Sequence, residues 1–259
     1  MALPRVADSL AGRLEVLSLL PLAGCELAGQ PSAWIDAMFS ALAAETSPPS
    51  PPPDQAAAQV GEALEKRVLT GGYPEALHRS SEKRRQAWAH SYLNAILQRD
   101  VRDIASVDKV QSLPQLLAAL AQVCDQLCNY TQLGARIGLD GKTVTRYITL
   151  LEQLFLVRRV PAWSANALAR VVKTPKLQFL DSGFLSALSG LRLAGLVTNR
   201  NAFGPALECY IYAELLRLAS WSEDSYELFM YRDKESRQGS TGGGCRDRQW
   251  PWPACWHRG

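Results

Sequence analysis

Residues 130–157 read YTQLGARIGLDGKTVTRYITLLEQLFLV, and the fold follows from how this stretch divides. Thr131 can cap a short helix running to Ile137, because its hydroxyl oxygen can accept from backbone N–H groups in the first turn. The segment LDGK at 139–142 supplies a tight turn around Gly141. A second helix is predicted over Thr143–Leu154, with Val144, Tyr147, Ile148 and Leu151 turned inward at helical spacing. FLVRRV at 155–160 then reads as a strand. Helix, turn, helix and strand is the spacing of a helix-turn-helix followed by the first strand of a wing. Where such a unit binds DNA, the second helix enters the major groove with its N-terminal residues on base edges. Those residues here are Lys142, Thr143, Thr145 and Arg146, with Arg158 and Arg159 placed to meet phosphates. Winged-helix units also serve as packing or protein-docking modules, and only Lys142 and Arg146 flank the recognition position, so both uses stay open.

Upstream of that stretch, Pro114 opens an apolar helix predicted over 113–128. Cys124 and Cys128 lie four apart on it and share a face, with no His or further Cys nearby to complete a zinc site, so they read as small core residues. Residues 81–105 place Trp88, Tyr92, Ala95, Ile96, Val101 and Ile104 at helical spacing. A further helix is predicted over Asp54–Leu69, stopped by Gly71 and Gly72, and Pro74 suits the first turn of another. Five prolines between Pro48 and Pro53 exclude helix and predict an extended linker over 46–56. Before it come a helix around Ser32–Ala44 and the apolar run LEVLSLLPL at 14–22, which reads as a buried strand ended by Pro21.

Downstream, Leu177–Leu180 reads as a strand, and Asp181 is placed to cap the helix of SGFLSAL at 182–188. A long helix opens at Gly204–Pro205, with Leu207, Ile211, Leu215 and Leu218 as its apolar stripe and Glu208 and Glu214 beside it. SYELFMYRD at 225–233 reads as a strand. Residues 236–259 have neither helix nor strand periodicity and are predicted to be disordered.

The chain has 259 residues, 47% of them apolar, enough for one large or two small domains with real cores. Against 28 Lys and Arg stand 25 Asp and Glu, a net +3 that residues 232–259 alone account for with six basic and three acidic residues. Net charge therefore does not argue for nucleic acid, and any such contact must be a local patch. Cysteines at 25, 124, 128, 209, 245 and 255 lack the spacing of a secreted disulfide framework and fit a cytoplasmic protein. No run of 18 apolar residues is present, so no membrane partner is expected.

Six blocks resemble, in order, a group of prokaryotic AAA-family ATPases that carry a C-terminal domain of unknown function 4143. They are LPRVADSLAGRLEVLSLLPL, GGYPEAL, LQRDVRDIA, NYTQLGARIGLDGKTVTRYITLLEQLFLV, WSANALARVVKTPKLQFLDSGFLSAL and GPALECYIYAELLR, within about residues 3–235. The resemblance implies three parts in series: an ATPase core, a winged-helix-like helical region and a domain similar to restriction-endonuclease folds. It yields a mainly α chain with a small β content. Residues 1–45 would be the edge of an ATPase core, 46–56 a proline-rich linker, 57–160 a helical bundle whose winged helix spans 129–160, 161–235 an incomplete nuclease-like α/β domain, and 236–259 a disordered tail.

The family's ATP and magnesium are not expected on this chain. It has no G-x-x-x-x-G-K-[ST] loop, and in GLDGKT Gly138 and Gly141 are too close together to wrap a phosphate. Arg13 reads either as a remnant that faced the nucleotide or as a structural arginine. The family's Glu-Val-Asp and Glu-x-Lys blocks are missing after 235, leaving Glu208 as the match to an acidic position and pointing to a truncated product with a frame-shifted tail.

Three functions are compatible with these features. The first is a degenerate ATPase homologue, inactive alone, that acts by binding DNA or a protein partner such as an intact homologue. The second is a DNA-binding regulator read by Lys142–Arg146. The third is part of a split ATPase, or a metal nuclease using Glu208, Glu214 and Asp233.

Overall fold

The computed structural model describes residues 18–30, 32–47, 60–104, 110–124, 126–163, 175–222, 224–230 and 254–258. The fold is mainly helical with a small antiparallel β component. Two short helices, α1 (Gly24–Leu27) and α2 (Trp34–Ala43), precede α3 (Glu62–Thr70), α4 (Pro74–Leu77), the long α5 (Glu82–Ile104) and α6 (Leu113–Gln122). The pair α7 (Tyr130–Arg136) and α8 (Gly141–Gln153) leads into β1 (Val157–Val160), which pairs antiparallel with β2 (Lys176–Phe179). Then come α9 (Ser182–Ser189), α10 (Leu193–Thr198), α11 (Phe203–Ser220) and β3 (Tyr226–Met230), paired antiparallel with β4 (Ala254–Arg258).

The main core joins α5, α6, α7, α8, β1, β2, α9 and α11 in one apolar cluster from Ala89 to Cys209. It therefore crosses residue 160, where the helical region was expected to end and the next part to begin. Leu113, Leu116, Leu117 and Leu120 form the buried face of α6, in one cluster with Val144, Ile148 and Leu151 of α8. The aromatic rings of Tyr73, Trp88, Tyr92 and Phe184, with centroids 4.5–5.9 Å apart, fasten the start of α4 and α5 to α9.

Several expectations need correction. The helix predicted over 113–128 ends at Gln122, so Cys124 and Cys128 do not share a helical face. Both are nonetheless buried, and the Cys124 thiol faces Leu177 O and Gln178 Oε1 of β2. The stripe Leu207, Ile211, Leu215 and Leu218 is only half-buried. α11 instead buries Phe203, Ala206, Cys209, Tyr212, Ala213 and Arg217, because its main support, α9 and β2, lies on that side. Of the strand expected over 14–22, residues 18–22 have no strand structure; Leu22 N–H donates to Gly72 O at 2.8 Å. Within the tail expected to be disordered, Ala254–Arg258 forms a strand on β3. Arg13, Asp233 and most of the proline-rich linker lie outside the described residues.

Candidate nucleic-acid interface

Asn129, rather than Thr131, caps α7: its Oδ1 accepts from the N–H groups of Thr131 at 3.0 Å and Gln132 at 3.2 Å. Asparagine has the side-chain oxygen a cap needs and tolerates the extended backbone there. The turn that follows is made by Gly138, at φ +70°, and not by Gly141. Leu139 N–H donates back to Gly134 O at 2.9 Å, the six-to-one bond of a Schellman-type helix end. Asp140 then caps α8, its Oδ1 accepting from Thr143 N–H at 2.9 Å and its Oδ2 from the Thr143 hydroxyl at 2.6 Å. These bonds hold the Asp140 carboxyl below its ordinary 3.8, so it is ionised at neutral pH.

The two helices lock through absent side chains. A Cβ on Gly134 would stand 2.4 Å from Leu139 O and 2.9 Å from Val144 Cγ2, and one on Gly141 would stand 2.7 Å from Thr131 Oγ1. Inward from α8, Val144, Tyr147, Ile148 and Leu151 are all buried, as their spacing predicts. Outward, its exposed residues are Lys142, Thr145, Arg146 and Gln153. The Thr145 hydroxyl donates to Gly141 O at 2.9 Å, and the Arg146 guanidinium lies 5.5 Å from the Tyr147 ring centroid.

The expected contact residues thus divide. Lys142, Thr145 and Arg146 sit together on the open face of α8, and Arg158 is exposed on β1 opposite Gln178. Thr143 is committed to the Asp140 cap. Arg159 turns to the other side of β1 and is committed to Glu152. Its backbone N–H donates to Glu152 Oε1 at 2.7 Å, its Nε to Oε2 at 2.8 Å, and its Nη2 to the same Oε2 and to Thr149 Oγ1 at 2.8 Å. The carboxylate raises the Arg159 pKa above its ordinary value. Sequence reasoning missed Glu152, whose partner lies seven residues on and around a helix end, and Arg136, exposed in the last turn of α7. A local charge count would have found Arg136. Residues 129–160 hold Arg136, Lys142, Arg146, Arg158 and Arg159 against Asp140 and Glu152, a net +3, whereas the rest of residues 1–231 sums to −3.

The carboxylates considered for a metal are occupied otherwise. Glu208 Oε1 accepts from Lys176 Nζ and from Gln178 Nε2 at 3.1 Å. Glu214 accepts from Arg217 Nη1 at 2.7 Å and from Gly24 N–H at 2.8 Å. Among the described residues no group of three His, Cys, Asp or Glu side chains is arranged to hold a metal ion. Arg217 continues this chain of contacts to Asp181, at 3.4 Å, with both side chains 2% exposed. Asp181 meets its predicted role: Oδ1 accepts from Gly183 N–H at 2.9 Å and Phe184 N–H at 3.2 Å at the start of α9, and Oδ2 accepts from Gly72 N–H at 2.8 Å.

Residues 61–194 match a domain of unknown function, DUF8612. The chain belongs to this family. The DUF8612 span takes in α7, the turn, α8 and the β1–β2 pair, so the candidate interface lies wholly inside it. Two similar proteins are uncharacterized: Mb2031c of Mycobacterium bovis and Rv2008c of Mycobacterium tuberculosis. Each is 25% identical over 182 residues, which is 68% of this chain and 41% of the relative. The chain thus spans about two-fifths of the length of the curated relatives it matches. No solved structure matches it. Among the described residues, no helix is long and apolar enough to cross a membrane.

Proposed function

We propose that this DUF8612 chain binds double-stranded DNA through a winged helix, with α8 in the major groove and the β1–β2 pair as the wing on the backbone. The exposed side of α8 carries the reading: its outward residues are Lys142, Thr145, Arg146 and Gln153, polar or basic throughout. A contiguous apolar patch of the kind that marks many protein-docking sites is not formed by these α8 residues, although Leu127 and Phe155 are exposed nearby. Kinship with AAA-family ATPases belongs to the same proposal, the chain corresponding to the region after the ATPase core and performing no ATP hydrolysis of its own. With β2 taken up by the wing, α9, α10, α11 and β3 would make up the nuclease-like α/β part proposed over 161–235.

The test is fluorescence anisotropy of the full chain with a labelled duplex of about 25 base pairs and mixed sequence, between about 50 and 200 mM salt. Contacts from Lys142, Arg146 and Arg158 predict a slope of log K against log salt of roughly −3, at about −0.9 per phosphate neutralised. Lys142→Ala with Arg146→Ala should flatten that slope by about two. Absence of binding at the lowest salt, or a slope near zero, would sink the proposal in favour of protein docking.

A further inference from the structure

Resting on the DNA-binding reading, we propose that Glu152 acts as an internal phosphate mimic, occupying Arg159 and holding it back from the duplex. Lys142, Thr145, Thr149 and Glu152 follow one another at three- and four-residue steps, a single stripe along α8. The stripe begins with a cation on the open face and ends in a carboxylate. Arg159 reaches this same stripe from β1, touching Thr149 Oγ1 at 2.8 Å and Glu152 Oε2 through Nε at 2.8 Å. The Nε and Nη2 edge is the edge with which an arginine grips a phosphate, and here one carboxylate oxygen fills it. Glu152 stands in the last turn of α8, where the helix dipole disfavours a carboxylate, so its place needs the compensating cation that Arg159 supplies. Both side chains remain partly open to solvent, 30% for Arg159 and 23% for Glu152, so a duplex phosphate can compete for the guanidinium. The consequence is a wing whose charge is half withheld: Arg158 meets the backbone and Arg159 does not.

The experiment compares the full chain, Glu152→Gln, and Glu152→Gln with Arg159→Ala on the same duplex across the same salt range. The amide keeps the size and the Oε1 acceptor for Arg159 N–H but removes the charge. Releasing Arg159 should tighten binding by about tenfold at the lowest salt and steepen the slope by about one, and the double variant should return to the parent slope. A parent chain that binds while Glu152→Gln leaves the slope unchanged overturns this inference and spares the DNA reading. A steeper slope that survives Arg159→Ala also overturns it, since the gain then comes from general charge. Lack of binding by the parent and by Glu152→Gln alike overturns both.

Discussion

Asp140 is asked to do two opposed things. Its carboxylate caps α8 through Thr143, and it places a negative charge at the very end of the helix that presents Lys142. Replacing it tells the two apart. Asp140→Ala should lower the urea midpoint, whereas Asp140→Asn, itself a good cap, should leave the midpoint nearly unchanged and tighten duplex binding. The cap also carries a pH signature. The folded pKa is depressed, so its contribution is present above the ordinary carboxylate range and is lost as pH falls through the folded value. Urea midpoints followed from about pH 6 down to about pH 2.5 should therefore decline for the parent and lose that part of the decline in Asp140→Asn. Lys142, Thr145 and Arg146 were legible in the sequence because a helix orders its outward residues by spacing alone. Glu152 was not, since its partner depends on how the chain bends at Phe155, a non-glycine residue at φ 55°.

At the scale of elements, α7 packs against the turn and α8 with no room for a methyl at Gly134 or Gly141. Gly134→Ala would drive a methyl against Leu139 O, an atom that cannot rotate away, and should cost about 1–3 kcal/mol in a urea or thermal melt. Gly195 in α10 is the control: no atom lies within 4 Å of the place a methyl would take there, and Gly195→Ala should be neutral or stabilising by up to about 1 kcal/mol. A smaller loss for Gly134→Ala than for its control would contradict this packing. The existence of α5, α7, α8, α9 and α11 was legible from periodicity, because each sets apolar residues on one side. The buried side of α11 was not. Its apolar residues at 207, 211, 215 and 218 outweigh by hydropathy a face that holds Cys209, Ala213 and Arg217, and only the position of Asp181 and β2 decides the matter.

Across the whole molecule, a run of polar contacts links Gly24 to Glu214, Arg217, Asp181 and Gly72. It ties residues 22–24 to the start of α9 through a nearly dry cation. Arg217→Met would leave Asp181 buried without its countercharge and should cost about 3–5 kcal/mol. Adding Asp181→Asn should recover part of that loss by removing the stranded charge. Amide hydrogen exchange at Leu22 and Gly24, whose N–H groups bond to Gly72 and Glu214, should quicken in Arg217→Met before it does in the core of α6. Equal quickening everywhere would mean that the contacts act only on global stability. Distant ion pairs of this kind leave no mark on periodicity, and of this set only Asp181 could be read in advance, from its place as a cap.

The end of β1 is held from the far side too: Trp163 N–H donates to Met230 O at 2.7 Å and Met230 N–H to Pro161 O at 2.9 Å. With Leu180 N–H on Leu156 O at 3.1 Å, the strand that leaves α8 is gripped along both margins. Such a mounting behaves as a bracket and not a tether. Held on both sides, β1 is fixed in place relative to α8 and to β3, so its exposed Arg158 is carried on a rigid mount and not on a free hairpin.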